Sequence, residues 1–302
     1  MATVPQAQGA ISPGPVPLTG TRRRIARITA VLNGRFLFSL IILVLILVFG
    51  FLGPTIFNRP DALVTVGGLY DSPSATAWLG TDNFGRDVFT QLMYGTQTSL
   101  IIGLLAGLVA TLIGVFIGTI AGYVGGWLEE ALMAITNVVI TIPSIVILIL
   151  LSIAINNRSI VTMGIIIGIT SWPWTARAVR AQASSLRTRD HVEIARLSGA
   201  STLSLIFWEI LPFMLSYVVM AFVLQLSSGI LTEATLSMLG LGPSGSVSLG
   251  IMLQWALLWE SVRTGAWWAF VPPTLFLTLI AFSLLLLQAS IDEIFNPRLR
   301  RS

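Results

Sequence analysis

The sequence predicts an all-α membrane protein: six transmembrane helices with both termini in the cytoplasm. Three observations lead there. Hydrophobic residues make up 55% of the chain and charged residues 10%, with a mean hydropathy of +0.87; soluble domains carry roughly a quarter charged residues. The 302 residues contain six apolar segments, and about 20 apolar residues suffice for a helix to cross the hydrocarbon core. The arginines fall mostly on one side of those segments, the bias that sets orientation.

The first 35 residues carry no span. Residues 1–20 are rich in Pro, Gly, Ala, Ser and Thr without hydrophobic period and read as a disordered tail. Arg22, Arg23, Arg24 and Arg27 alternate with Ile25, Ile28 and Val31, the pattern of a short basic amphipathic helix on a membrane face. A secretory signal is the competing reading. However, the next apolar run, 36–57, is 22 residues long, against about 7–15 for a signal core. It is the first span. Residues 58–98 then turn polar, with Asp61, Asp71, Asp82 and Asp87, and form an extracytoplasmic segment.

The second span is 99–123. Its Gly103 and Gly107, then Gly114 and Gly118, are each four apart. Small residues on one helix face let backbones approach closely in lipid, although glycine is frequent in membrane helices in any case. Gly125, Gly126, Glu129 and Glu130 mark a turn into the third span, 131–155, where Pro143 favours a kink. The fourth span, 160–175, ends in Trp172-Pro173-Trp174, an interfacial aromatic belt with a helix breaker. The fifth is 210–231. Residues 233–259 are too broken by glycine to cross and read as a re-entrant or surface loop. The sixth span is 267–289, and a charged tail, 291–302, follows. The five spans over 99–290 form the core, with a cytoplasmic loop at 176–209.

Six spans with a cytoplasmic amino terminus put Arg22, Arg23, Arg24, Arg27, Arg35, Arg177, Arg180, Arg187, Arg189, Arg196, Arg298, Arg300 and Arg301 inside. Only Arg59, Arg86, Arg158 and Arg263 lie outside, which supports the orientation. The absence of cysteine excludes disulfides and thiolate metal sites. All 17 basic residues are arginine, so a phosphate-binding loop that needs Gly-Lys-Ser/Thr is excluded too. Because the arginines flank spans rather than form a stripe, the basic balance points to membrane lipid and not to nucleic acid.

The informative polar stretch is 188–212. Arg189 and Glu193 are four apart, and Glu193 and Arg196 three apart, so they can pair on one helix face. Ile194 and Leu197 form an apolar strip beside them. Gly199 lets the helix end in a left-handed turn. Such a helix fits a groove on another protein; a solvated loop on the lipid surface is the bland alternative.

Here the chain resembles the membrane-spanning subunits of binding-protein-dependent ABC importers, and within them the second permease subunit of the dipeptide/oligopeptide (peptide/nickel) class. The permease hallmark is Glu-Ala-Ala, three residues, Gly, nine residues, then Ile-x-Leu-Pro. Its counterparts are Glu193, Ile194, Ala195, Arg196, Leu197, Gly199, Ala200, Glu209 and Pro212. Ile194 replaces the middle alanine, and Glu209 stands where this class usually has histidine. Leu79-Gly80-Thr81-Asp82-Asn83-Phe84-Gly85-Arg86-Asp87 resembles the class's segment ahead of span two, and Glu233 to Gly242 its loop after span five. The likeness runs from Leu79 to Gly250 and weakens beyond, apart from Asn296-Pro297-Arg298 near the end.

The resemblance implies a type I ABC importer permease fold in a bacterial plasma membrane. It also implies a second, homologous permease subunit, two cytoplasmic ATPase subunits and an extracytoplasmic substrate-binding protein as partners. This chain would hold no cofactor; ATP and Mg would be bound by the ATPase subunits. Short peptides are the implied solute, with nickel chelates or oligosaccharides as alternatives. Arg189 to Ala200 would form the ATPase-coupling helix.

Other candidates are weaker. His191 is the only histidine, which cannot make a usual zinc site alone, and reads as a surface residue. Asp82, Arg86 and Asp87 could be a catalytic or metal cluster, but read better with Gly80, Thr81 and Gly85 as a structural knot tied by Arg–carboxylate pairs. Glu233, Ser237 and Met238 are candidate pathway or gate residues; Glu233 could equally cap a turn. An intramembrane enzyme would need paired catalytic groups within spans, and none is present. A stand-alone channel or secondary transporter would need polar residues at mid-membrane.

Overall fold

The computed structural model describes residues 34–59, 61–155 and 157–295. The tail at 1–20, the basic segment around Arg22–Arg27 and the Asn296-Pro297-Arg298 end lie outside the described residues. Within them the chain is helical, with two isolated β-bridges and no sheet.

The first helix, α1 (Gly34–Ile56), contains one widened turn at Val48–Leu52. Residues 58–87 follow as an irregular segment. Helix α2 (Val88–Val124) is 37 residues long, or about 56 Å at 1.5 Å per residue. It begins eleven residues before the predicted start of span two, because Asp87 caps it: the carboxylate accepts from the amides of Phe89 (3.4 Å) and Thr90 (3.2 Å). Gly125, at φ +73°, ends it.

The predicted third span is two helices. Pro143 does not merely kink it; α3 (Gly126–Thr141) and α4 (Ser144–Ala154) meet at 80°. Ile142 is extended (φ −85°, ψ 124°), as the residue before proline prefers.

Helix α5 (Ile160–Arg187) corrects the fourth span. It passes through Trp172-Pro173-Trp174 and continues for another three turns. Polar groups around Pro173 are partnered. The Thr170 and Ser171 hydroxyls donate to the Ile167 carbonyl (2.9 and 2.7 Å), and Gln225 donates to the Ser171 carbonyl (3.0 Å) and the Thr175 hydroxyl (2.6 Å). A proline in such a setting is tolerated in a membrane helix.

A short helix, α6 (Asp190–Leu197), precedes α7 (Thr202–Met238). The helix that holds the predicted fifth span, 210–231, extends beyond it at both ends. Ser201 caps the start through the Ser204 amide (3.3 Å). A widened stretch at Leu205–Ile210 precedes Pro212, which sits in the first turn of the regular helix that follows. Part of the loop expected at 233–259 is a helix: α8 (Leu249–Leu258) is ten residues long, apolar and buried over its first turn, with Leu257 and Leu258 exposed at its end, and is too short to cross. Last comes α9 (Trp267–Phe295).

Helices α1, α2, α7 and α9 are long and apolar enough to cross a membrane, with a fifth crossing if α3 and α4 count as one. Helix α5 has the length, but Arg177, Arg180 and Arg187 dilute it. It packs most extensively against α2. The glycines explain how. A Cβ on Gly118 would lie 2.5 Å from the Ala176 carbonyl oxygen, and one on Gly114 2.6 Å from Thr175 Cβ. Gly103 and Gly107 face Ile230 and Leu226 of α7 instead. Each glycine pair thus seats a different neighbour, which is the close-approach use of such spacing.

Candidate functional site

Two regions and one polar network stand out. The first region is α6. Val192, 0% exposed, anchors it among Val179, Ala183, Leu205, Ile210 and Met214. Its other face is open: Ile194 is 64% and Leu197 83% exposed. Asp190 and Glu193 occupy the first turn and Arg196 the last, the charge order that suits the helix dipole. Gly199, at φ +85°, closes the helix. Its amide donates to the Arg196 carbonyl (3.1 Å) and the Ala200 amide to the Ala195 carbonyl (3.2 Å), which together make a Schellman end.

Two expectations for α6 need correction. The Arg189–Glu193 and Glu193–Arg196 pairs do not form; among the described residues the ion pairs are Arg35–Glu293, Arg59–Asp87, Arg180–Glu129 and Arg263–Glu260. Arg196 instead lies over the Tyr123 ring (5.8 Å). His191 is not a plain surface residue: it is half-buried and packs on Phe213, ring centroids 4.3 Å apart. Glu209 is half-buried on the widened turn and Pro212 is exposed.

The 58–87 segment is a knot, though not one tied as expected. Asp82 accepts from the amides of Phe84 (2.7 Å) and Arg86 (2.9 Å) and from the Gln91 side chain (2.7 Å). Asp87 pairs with Arg59 (3.3 Å), not with Arg86. The Arg86 guanidinium stacks on Phe84 and Trp255. Buried Thr81 donates to the Gly68 carbonyl (2.7 Å) and accepts from the Asp71 amide (2.8 Å). Gly80 (φ +66°) and Gly85 (φ +71°) sit against the carbonyls of Asp71 and Gly67, where no Cβ fits. Burial, with Asp82 nearby, raises the Tyr70 phenol above its ordinary range; it stays a neutral donor to the Trp259 carbonyl (3.1 Å).

The second region is a cavity of about 780 Å³. The α3–α4 break, α5, α7 and Gln288 of α9 line it, with polar groups that include Ser144, Thr170, Tyr217, Gln225 and Ser228 and no charged side chain. Glu233, Ser237 and Met238 do not line it. The helix runs to Met238, so Glu233 lies within α7 rather than past its end, and Met238 is exposed. Sequence reading missed the cavity's α7 face, although Tyr217, Gln225, Ser228 and Thr232 recur at helical spacing.

Glu233, 0% exposed, is the hub of the network. Ser99 donates to one carboxylate oxygen (2.9 Å) and Ser237 to the other (2.6 Å). Ser99 also accepts from the Leu249 amide (3.2 Å), and Ser248 caps α8 through the Ile251 amide (3.1 Å). The network fastens α2, α7 and the start of α8. Glu233→Leu removes the carboxylate acceptor of the buried Ser99 and Ser237 hydroxyls, at about 1–3 kcal/mol for each bond that is not remade. The purified variant is expected to melt several degrees lower; an unchanged melting temperature would show that the network does not hold α8.

Residues 114–301 match the sequence profile of a family described as the inner membrane component of binding-protein-dependent transport systems. A protein of Brucella abortus biovar 1, whose name assigns it provisionally to a peptide transport system as permease, is 32% identical over 290 residues, covering 95% of this chain and 94% of its own. The dipeptide transport system permease protein DppC of Bacillus subtilis is 32% identical over 87% of this chain and 82% of its own. A chain from inward-facing structures of the MetNI methionine ABC transporter superposes with a TM-score of 0.53 over 68% of this chain and 95% of that chain. At 18% identity, that likeness speaks to the fold alone. With the family profile covering more than half of the sequence and relatives aligned along most of their length, the chain belongs to the family of binding-protein-dependent transport system inner membrane components.

Proposed function

We propose that this chain is the second permease subunit of an ATP-driven importer of short peptides in a bacterial plasma membrane. The observation that carries the reading is α6. A helix that buries Val192 inward and leaves Ile194 and Leu197 bare is held rigidly for an outside partner. The relatives named as dipeptide and oligopeptide permeases support the solute class.

In this reading α5 is also a span, giving six crossings with both termini and α6 in the cytoplasm. Two ATPase subunits, which bind ATP and Mg, seat α6 and its counterpart on a second, homologous permease subunit. The uncharged cavity becomes half of the solute route, and an extracytoplasmic binding protein delivers to it. Nucleotide biases two states of the pathway through α6, whose base is packed directly on α5 and α7. The carboxylates of the 58–87 knot serve structure.

The test is reconstitution of the four-subunit complex in vesicles with its binding protein. ATP-dependent uptake of labelled di- and tetrapeptides is expected. Uptake of a nickel chelate or oligosaccharide alone would change the solute, and ATP-independent uptake by the isolated chain would favour a secondary transporter. Ser228 faces the cavity, so Ser228→Trp is expected to abolish uptake while ATP hydrolysis persists. Undiminished uptake would exclude the cavity as the route.

A further inference from the structure

We propose that a second concavity, on the face carrying the 58–87 knot, receives a carboxylate side chain of the extracytoplasmic binding protein. This groove of about 320 Å³ is formed by Arg86, by Arg158 from the α4–α5 turn, by the 240–246 loop, and by Gln254 and Trp255 of α8. It contains two cations and no acidic residue. Neither arginine belongs to an ion pair among the described residues.

Both arginines are held in place. Arg158 donates to the Gly240 carbonyl (3.1 Å) and accepts at its own carbonyl from the Ser244 amide (2.8 Å). The Arg86 guanidinium is stacked 4.5 Å from the Phe84 centroid and 5.2 Å from that of Trp255. Two polar atoms in the groove, Arg86 Nε and Ser246 Oγ, are buried without a partner. A stacked guanidinium keeps its N–H edge free, and that edge matches a planar carboxylate. Partly buried cations without an anion are costly, so the groove is electrostatically incomplete in this chain alone.

A protein carboxylate fits better than a solute carboxylate. The groove shares no lining residue with the 780 Å³ cavity, so it is separate from the proposed solute site. Exposed Leu63 lines it, and exposed Trp259 packs beside it on Phe84. Arginine ringed by aromatic and apolar surface is the composition of protein interfaces.

The inference rests on the importer reading. Its test measures the affinity of the binding protein that supports uptake for the complete transporter in nanodiscs. Arg86 sits in the knot, so the variants are Arg158→Glu, which reverses one charge, and Gln254→Glu, which adds a carboxylate to the same groove. Each is expected to raise Kd on the order of tenfold or more at ~50 mM salt, with basal ATP hydrolysis unchanged. An Asp or Glu changed to Arg on the binding protein should restore affinity for Arg158→Glu. Unchanged Kd in both variants would overturn the proposal. So would unchanged Kd with altered preference between free and amidated peptide carboxyl termini, which would make the solute the source of the carboxylate. A wild-type complex that neither binds the protein nor transports would overturn the importer reading as well; a wild-type complex that transports beside normal variants would overturn the groove alone.

Discussion

Gly118→Leu is expected to remove the protein from the folded membrane fraction. Helix α2 and helix α5 meet backbone to backbone along Gly114, Gly118 and Gly122. At Gly118 even a methyl group would lie 2.5 Å from the Ala176 carbonyl oxygen and 2.8 Å from Val179 Cβ. Backbone on the far side cannot swing away as a long side chain could. Overpacking costs about 1–3 kcal/mol where a core can shift. Here relief requires separating the most extensive helix pair in the chain, against a total stability of roughly 5–15 kcal/mol. Size-exclusion profiles and melting temperature of detergent extracts measure it. Gly118→Ala should fall between wild type and leucine, and leucine at Gly34, which has open space around it, should be tolerated. A normal melting temperature for Gly118→Leu would mean that the two helices are not in contact there.

The second large effect concerns the exposed strip of α6. Leu197→Asp is expected to abolish uptake and uncouple ATP hydrolysis from solute, with normal membrane insertion. Leu197 is 83% exposed, so its replacement is expected to leave the fold intact. If a partner groove covers it, the apolar burial is worth about 1.5–3 kcal/mol, and an aspartate there adds the cost of a desolvated charge. The sum weakens docking on the order of 100-fold or more. Pull-down of the ATPase subunits reads the effect directly; full retention by Leu197→Asp, with normal uptake, would remove α6 from the interface. Val192→Asp is the contrast, because it disturbs the Val179–Leu205–Met214 cluster and so lowers stability itself.

Much of this was legible beforehand because it depends on local chemistry. Apolar run length located the four helices that are long and apolar enough to cross, and the bent pair α3–α4. Gly199 after an amphipathic turn fixed the end of α6, since a left-handed residue there closes the last carbonyls. The glycine spacing along α2 allowed close packing without requiring it, and the structure decided for it. Boundaries were less legible where a side chain overrides composition: Asp87 starts α2 by capping, although residues 88–98 read as polar. Prolines misled in both directions. Pro143 breaks its span, whereas Pro173 does not, because hydroxyls and Gln225 partner the polar groups beside it. The ion pairs expected on α6 failed for another reason: an exposed helix gains only tenths of a kcal/mol from them, and Arg196 has an aromatic ring to cover.

The sequence by itself determined the class of protein, the approximate places of its long apolar helices, the position of the exposed short helix and its left-handed stop. These follow from hydropathy, spacing and the conformational freedom of a single glycine, all of which act over a few residues. Only the tertiary structure decided which face of α7 lines the cavity, why Glu233 is buried among serines, that Asp87 pairs with Arg59, and that Arg86 and Arg158 share a groove. Those depend on which residues distant in sequence are brought together, and no local pattern of side chains encodes that.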